Sequence, residues 1–266
     1  MEWGLLALVK LGVALALAVP LAAYLMQDKL IFQAQPLSEP ERQAIAARHP
    51  DVADIFLQAV DGIRLHAWHI KAVAGAPLVL YFGGNAEEVS WLLDELPRRH
   101  TGAAWLLVDY RGYGSSGGAP SEQSLTNDAL AWYDRFADSS PRIFAFGRSL
   151  GSGVAVRLAA ERQLSGLLLV APFDSMVALG KHHYPLLPVG LLLRHRFDSL
   201  SVAPKLAAPL LCVVATHDDV IPPEHARRLY DAWGGPKRWL ELAAGHNDTD
   251  NHPDYWPSIR AFLGAR

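Results

Sequence analysis

"FAFGRSLGSGVAV", residues 144–156, decides how this chain folds. Apolar residues lead into Gly147-Arg148-Ser149-Leu150-Gly151, and small and apolar residues follow. The first part reads as a strand and the second as a helix. A sharp strand-to-helix turn pushes Ser149 into a sparsely allowed backbone region, and glycines two residues to either side let neighbouring backbone come close. On this fragment alone, a glycine-rich turn without chemistry is the competing reading. The surrounding chain has to choose.

Outward from it, short continuous apolar runs recur: "PLVLYF" (77–82), "AAWLLVDY" (103–110), "RIFAFG" (142–147), "GLLLVA" (166–171) and "PLLCVVA" (209–215), with "KRWLELA" (237–243) last. Such runs suit strands buried on both faces. Helical spacing fills the intervals at 86–99, 121–138 and 150–163, and two later helices open at Pro222-Pro223 and at Pro253. Ahead of them, "ADIFLQAVDGIRLHAWHIK" predicts two strands around Asp61-Gly62, a type I′ hairpin signal. The pattern predicts eight strands in a mostly parallel sheet, helices on both faces, and the hairpin as an antiparallel edge. Almost forty residues separate the strands at 166–171 and 209–215. A crossover needs far fewer, so a small cap insertion is expected at about 173–207, apolar around "YPLLPVGLLL" (184–193).

The chain has 266 residues, 51% hydrophobic and 19% charged, enough for a sizeable core in one large α/β domain over 51–266. A net charge of −3 and no long basic run argue against a nucleic-acid partner. The single cysteine, Cys212, lies in an apolar run and reads as a buried, inert thiol. It permits no internal disulfide and no cysteine-based metal site. From Trp3 to Met26 the residues are almost all apolar, interrupted by Lys10. That length suits a single-pass membrane anchor over 1–26, since a bilayer core takes about 20 helical residues. A cleaved signal peptide is the rival, with "ALA" (16–18) as its cleavage site. An extracytoplasmic catalytic domain is the preferred orientation. Residues 27–50, polar and carrying Pro36, Pro40 and Pro50, read as a connector.

A serine hydroxyl is a poor nucleophile until a base takes its proton. The strand at 209–215 runs into Asp218 and Asp219, and the last strand runs into His246. The order serine, acid, histidine, all past C-terminal strand ends, is the one this turn requires. Among eleven histidines, His246 alone follows a strand end after a small-residue run. His217, His182, His183 and His252 sit less favourably. Asp174, past the strand at 166–171, competes with Asp218 and Asp219 for the acid. Two backbone donors should hold an oxyanion: the N–H of Leu150, and the N–H of Asn85 in "YFGGNAEEV". Arg148 has no role in this scheme.

These residues resemble the α/β-hydrolase family, in particular its membrane-anchored serine hydrolases, over roughly residues 27–264. "QDKLIFQ", "YFGGNAEEVS", "VDYRGYGSSGGAPSE" (108–122), "GRSLGSG" and "APFDS" match that family's landmarks in order. The resemblance chooses Asp218, four residues before Pro222, and assigns His246 as base. It implies that Asp109 and Arg111 are scaffold. It departs at Gly83, where those relatives carry a histidine that supports the loop. A serine at the elbow, where dehalogenases and epoxide hydrolases carry aspartate, implies acyl transfer without metal or cofactor. The expected substrate is a small-molecule or lipid acyl ester or thioester. An amidase or peptidase with the same triad, and a catalytically silent membrane-tethered binding protein, are the alternatives; no substrate-binding residue is assigned.

Overall fold

The computed structural model describes residues 2–264. Eight strands form one sheet in the order β1-β2-β4-β3-β5-β6-β7-β8. They are β1 (Val52–Gln58), β2 (Arg64–Ile70), β3 (Leu78–Phe82), β4 (Ala104–Val108), β5 (Ile143–Arg148), β6 (Gly166–Val170), β7 (Leu210–Ala215) and β8 (Lys237–Leu242). The pairs β1/β2 and β2/β4 are antiparallel, and every other pair is parallel.

Side chains alternate across the sheet, and both faces are covered. On β3, Leu78, Leu80 and Phe82 enter one core while Val79 and Tyr81 enter the other. On β7, Leu210, Cys212 and Val214 face the first core, and Leu211 and Val213 the second. This is why these strands read as continuous apolar runs. Helices α4 (Glu122–Ala137), α5 (Leu150–Glu161) and α8 (Pro223–Ala232) cover the first face, through Leu125, Trp132, Val154 and Leu229. Helices α3 (Leu92–Arg99) and α9 (Tyr255–Leu263) cover the second, through Leu93, Leu96, Trp256 and Ile259. Burying each such side chain stabilises the fold by roughly 1.5–3 kcal/mol. At the far edge, β8 exposes Lys237 and Arg238, charges that discourage edge-to-edge pairing.

The hairpin departs from the expected turn. Ala59 N donates to Ile63 O at 2.8 Å, and Gly62 N donates to Ala59 O at 2.9 Å. Gly62 has φ 81°, but Asp61 is not left-handed. A type I′ turn needs positive φ at both central residues; this is a three-residue loop, Val60-Asp61-Gly62, closed by a left-handed glycine.

The stretch read as a connector is more ordered than its prolines implied. Helix α1 (Glu2–Ile31) continues past Met26 by more than one turn, and α2 (Glu39–Arg48) follows. Ser38 and Glu41 cap α2 reciprocally, with Ser38 N donating to Glu41 Oε2 at 2.7 Å. Between the helices, the chain is pinned at Pro36 beside Gly114, and Gln33 N donates to Asn85 Oδ1 at 2.7 Å. Within α1, Lys10–Ile31 is long and apolar enough to cross a membrane, with mean hydropathy 1.6.

The insertion between β6 and β7 carries α6 (Met176–His183), α7 (Val189–Leu192) and a short 3₁₀ turn at Ala203–Lys205. Gln27 Nε2 donates to Leu192 O at 3.1 Å, and Arg194 N donates to Gln27 Oε1 at 2.7 Å. Asp28 Oδ1 meets Arg194 Nη2 at 2.7 Å and His195 Nε2 at 2.9 Å. Phe32 packs edge-on against the rings of His195 and Phe197. The end of α1 is therefore joined to the cap.

Candidate active site

Ser149 sits between β5 and α5 with φ 51° and ψ −118°. A side chain in that region is strained, on the order of 1–3 kcal/mol, and the surroundings hold it there. Its N–H donates to Val170 O at 2.9 Å. A Cβ on Gly151 would overlap the carbonyl of Phe82, and one on Gly147 would overlap the Gly151 carbonyl. Only glycine lets the first turn of α5 lie this close to β3 and β5.

The three strand-end loops converge. His246 Nε2 lies 3.0 Å from Ser149 Oγ, and His246 Nδ1 lies 2.7 Å from Asp218 Oδ2. The other oxygen, Asp218 Oδ1, accepts N–H bonds from Val220 at 3.0 Å and Ile221 at 2.7 Å. These bonds fix the carboxylate so that one oxygen faces the imidazole. All three side chains are buried, leaving His246 only 9% exposed.

The rivals lie elsewhere. Asp219 and His217 are exposed. Asp174 turns to α8, accepting from His225 Nδ1 at 2.8 Å, Arg228 Nε at 2.5 Å and Ser175 N at 2.7 Å. Burial acts to raise the Asp174 carboxyl, but these bonds prevail and hold it below its ordinary value. His183 is bonded through Nε2 to Val220 O at 2.8 Å, tying the cap to the loop that carries Asp218. His182 lies over His225, and His252 accepts from Asp254 N at 3.2 Å.

Asp109 and Arg111 are bonded to partners within the protein. Asp109 Oδ2 meets His66 Nδ1 at 2.6 Å and Ser115 N at 2.8 Å. Arg111 grips Asp128 with two bonds of 2.7 Å. From the same segment, the buried Tyr110 hydroxyl donates to Gly83 O at 2.9 Å, and burial pushes its pKa well up, so it stays a donor.

Arg148, which has no role on the sequence alone, has three partners in the structure, the His246 carbonyl at 3.4 Å among them. Arg148 Nη1 donates to Glu87 Oε2 at 3.1 Å, and Nη2 donates to Asn247 Oδ1 at 2.8 Å, beside His246. Glu87 also accepts from Gly84 N at 2.6 Å, Tyr81 Oη at 2.7 Å and Trp91 Nε1 at 3.1 Å. Glu87 therefore braces the loop after β3 from within the chain. The available signal is charge complementarity: β3 and β5 are parallel neighbours, with an acid in the loop past one strand end and an arginine at the other.

A cavity of about 320 Å³ opens at Ser149. Asn85 and Leu150 line it, with residues of the cap and the last turns of α1. Its polar liners are Gln27, Asn85, Ser149, His183 and Tyr184; the rest are apolar or glycine.

The chain matches a family model described as serine hydrolase over residues 128–265, about half its length. An uncharacterized protein of Mycobacterium tuberculosis is 38% identical over 209 residues, spanning 76% of this chain and 74% of that one. An uncharacterized membrane protein of Saccharomyces cerevisiae is 30% identical over 281 residues, spanning 98% and 94%. Among solved structures, an alpha-beta hydrolase from Vibrio vulnificus superposes with a TM-score of 0.70 at 21% identity, over 91% of this chain and 94% of that one. An esterase of Pyrococcus furiosus superposes with a TM-score of 0.66 at 17% identity, over 87% and 97%. At such identities the two structures speak for the shared fold.

Proposed function

The chain belongs to the serine hydrolase family, within the α/β-hydrolase superfamily, and on that premise we propose that it cleaves carboxylic esters or thioesters through Ser149, His246 and Asp218. The observation that carries this reading is the unbroken relay from Ser149 Oγ through His246 to Asp218, at 3.0 and 2.7 Å. Ser149 Oγ attacks the acyl carbonyl while its proton passes to His246 Nε2. Asp218 accepts the Nδ1–H bond and stabilises the imidazolium. The N–H groups of Leu150 and Asn85 hold the oxyanion, a role supported by the place of both residues on the cavity wall. The carbonyl's bond to the leaving oxygen or sulfur then breaks, and that group departs with the proton from Nε2. Water gives a proton to the same nitrogen, attacks the acyl-Ser149 ester, and releases the carboxylic acid as Ser149 regains its proton.

The cavity favours an acyl group over a peptide. Its few polar side chains are largely committed within the protein: Gln27 to the cap, His183 to Val220, Asn85 to Gln33. Little remains to recognise a peptide backbone.

The same reading makes α1 a membrane anchor. Helix α1 has 30 residues, about 45 Å at 1.5 Å per residue, more than a hydrocarbon core of about 30 Å, so its earlier turns suffice to span while its last turns reach the cap. Its outer side chains, Leu17, Leu21 and Leu25 among them, are exposed. The name of the yeast relative, a membrane protein, agrees with this.

The test is labelling by a fluorophosphonate probe. Wild type should label, and Ser149→Ala should abolish it; labelling that persists would identify another nucleophile. His246→Ala should cost on the order of 10³-fold in turnover, because base and serine act as a unit.

A further inference from the structure

We propose that α1 forms one wall of the substrate site, and that the substrate is an ester of a long acyl chain presented by the lipid bilayer. This rests on the serine-hydrolase reading of Ser149. Ala23, Gln27, Leu30 and Ile31 line the cavity that begins at Ser149. They recur at helical spacing, so one face of α1 is turned toward the nucleophile. These residues belong to the final turns of the segment long and apolar enough to cross a membrane. One helix thus serves the bilayer with its outer face and the cavity with its inner one.

That arrangement is fastened. Gln27, only 4% exposed, holds Leu192 O and Arg194 N, and Asp28 holds Arg194 and His195. The helix end cannot leave the cap without breaking all of these bonds. Beyond Ile31, the chain is bonded through Gln33 to Asn85, which lines the same cavity.

The cap supplies the second apolar surface. Leu187 and Leu192 line the cavity, while their neighbours Leu186 and Leu191 are 96% and 89% exposed. In water such side chains have no partner. With α1 across a bilayer, the cap lies against the membrane surface, and these leucines enter its apolar layer. The cavity is then bordered by two elements that both meet lipid. An acyl chain can pass from bilayer to cavity without crossing water, while its ester stays near Ser149. A cavity of about 320 Å³, near the lower end of ordinary ligand sites, suits one chain and not a bulky polar substrate.

The experiment uses full-length protein in phosphatidylcholine nanodiscs. The readout is the ratio of kcat/KM for p-nitrophenyl palmitate, which resides in the bilayer, to that for p-nitrophenyl butyrate, which arrives from water. Wild type should favour the palmitate. Ala23→Trp, which fills the inner face, should lower the ratio on the order of tenfold. Leu17→Trp, on the exposed outer face, should leave it unchanged. Leu30→Trp gives a second inner-face variant should Ala23→Trp fold poorly, and fluorophosphonate labelling reports which variants keep an intact site. A wild-type preference for butyrate, or an inner-face variant that labels normally with an unchanged ratio, would overturn the proposal. Persistent labelling of Ser149→Ala would instead overturn the serine-hydrolase reading itself.

Discussion

Arg148 and Glu87 form an ion pair of 3.1 Å that ties the end of β5 to the loop after β3. The pair is mostly buried, and each partner reaches onward. Glu87 holds Gly84 N, next to the proposed oxyanion donor, and Arg148 holds Asn247, next to the proposed base. One pair therefore braces both the loop after β3 and the loop that carries His246. Arg148→Met should lower kcat ten- to hundredfold with a smaller change in KM, because a misplaced loop harms the transition state most. Arg148→Lys should recover part of the loss, lacking the two-pronged donor geometry. A double-mutant cycle with Glu87→Gln should return a coupling of about 0.5–3 kcal/mol. If Tm fell while kcat stayed at the wild-type value, the pair would be structural alone.

Asp218→Asn and Asp174→Asn separate the two acids past neighbouring strands. The first should cost roughly 10⁴-fold in kcat, since the amide disfavours the working tautomer of His246. The second should leave kcat near wild type, because Asp174 is occupied by His225 and Arg228. The opposite order of losses would transfer the acid role to Asp174.

Asp174 should instead report in stability against pH. Its carboxyl is held low in the folded state. A lowered value adds stability above the unfolded carboxylate pKa, near ~3.9, and that stability is lost as pH falls through the lower folded value. Thermal unfolding of Asp174→Asn should show a Tm deficit at neutral pH that shrinks steadily below about pH 4. A deficit that stays constant into acid would contradict this account.

Cys212 should be silent in the native protein. It is 1% exposed inside β7, and burial pushes its thiol well above the ordinary range. Iodoacetamide at about pH 8 should leave the folded protein unmodified and alkylate one site after denaturation, as mass spectrometry will count. Rapid native labelling would mean that the sheet opens around β7.

The parallel sheet and the convergence at Ser149 were legible because each rests on a local pattern. Leu167 to Val170 are apolar without a break because the two cores claim alternate residues. Ser149, Asp218 and His246 each follow a strand end, so topology brought them to one edge. The signals that were misread are subtler. Asp61-Gly62 suits two turn types, and the extra loop residue that distinguishes them is not marked in the sequence. Ser38-x-x-Glu41 is a helix-start signature, but Pro40 drew attention as a breaker when it lies in the first turn, where proline is tolerated. The part of the cavity lined by α1 is beyond pattern reading. Ala23 and Gln27 look like the fading end of an apolar segment, and only the fold carries them next to Ser149, more than a hundred residues later.

The joint between α1 and the cap has a practical consequence. A truncation starting after Ile31 would retain Ser149, His246 and Asp218, and would remove Ala23, Gln27, Leu30 and Ile31 from the cavity. It would also free Arg194 and His195 from Asp28. Substrate profiles collected on such a shortened enzyme would describe an opened trough. For the bilayer-borne ester proposed above, they would underrate the longest chains, so that proposal is tested on the intact chain.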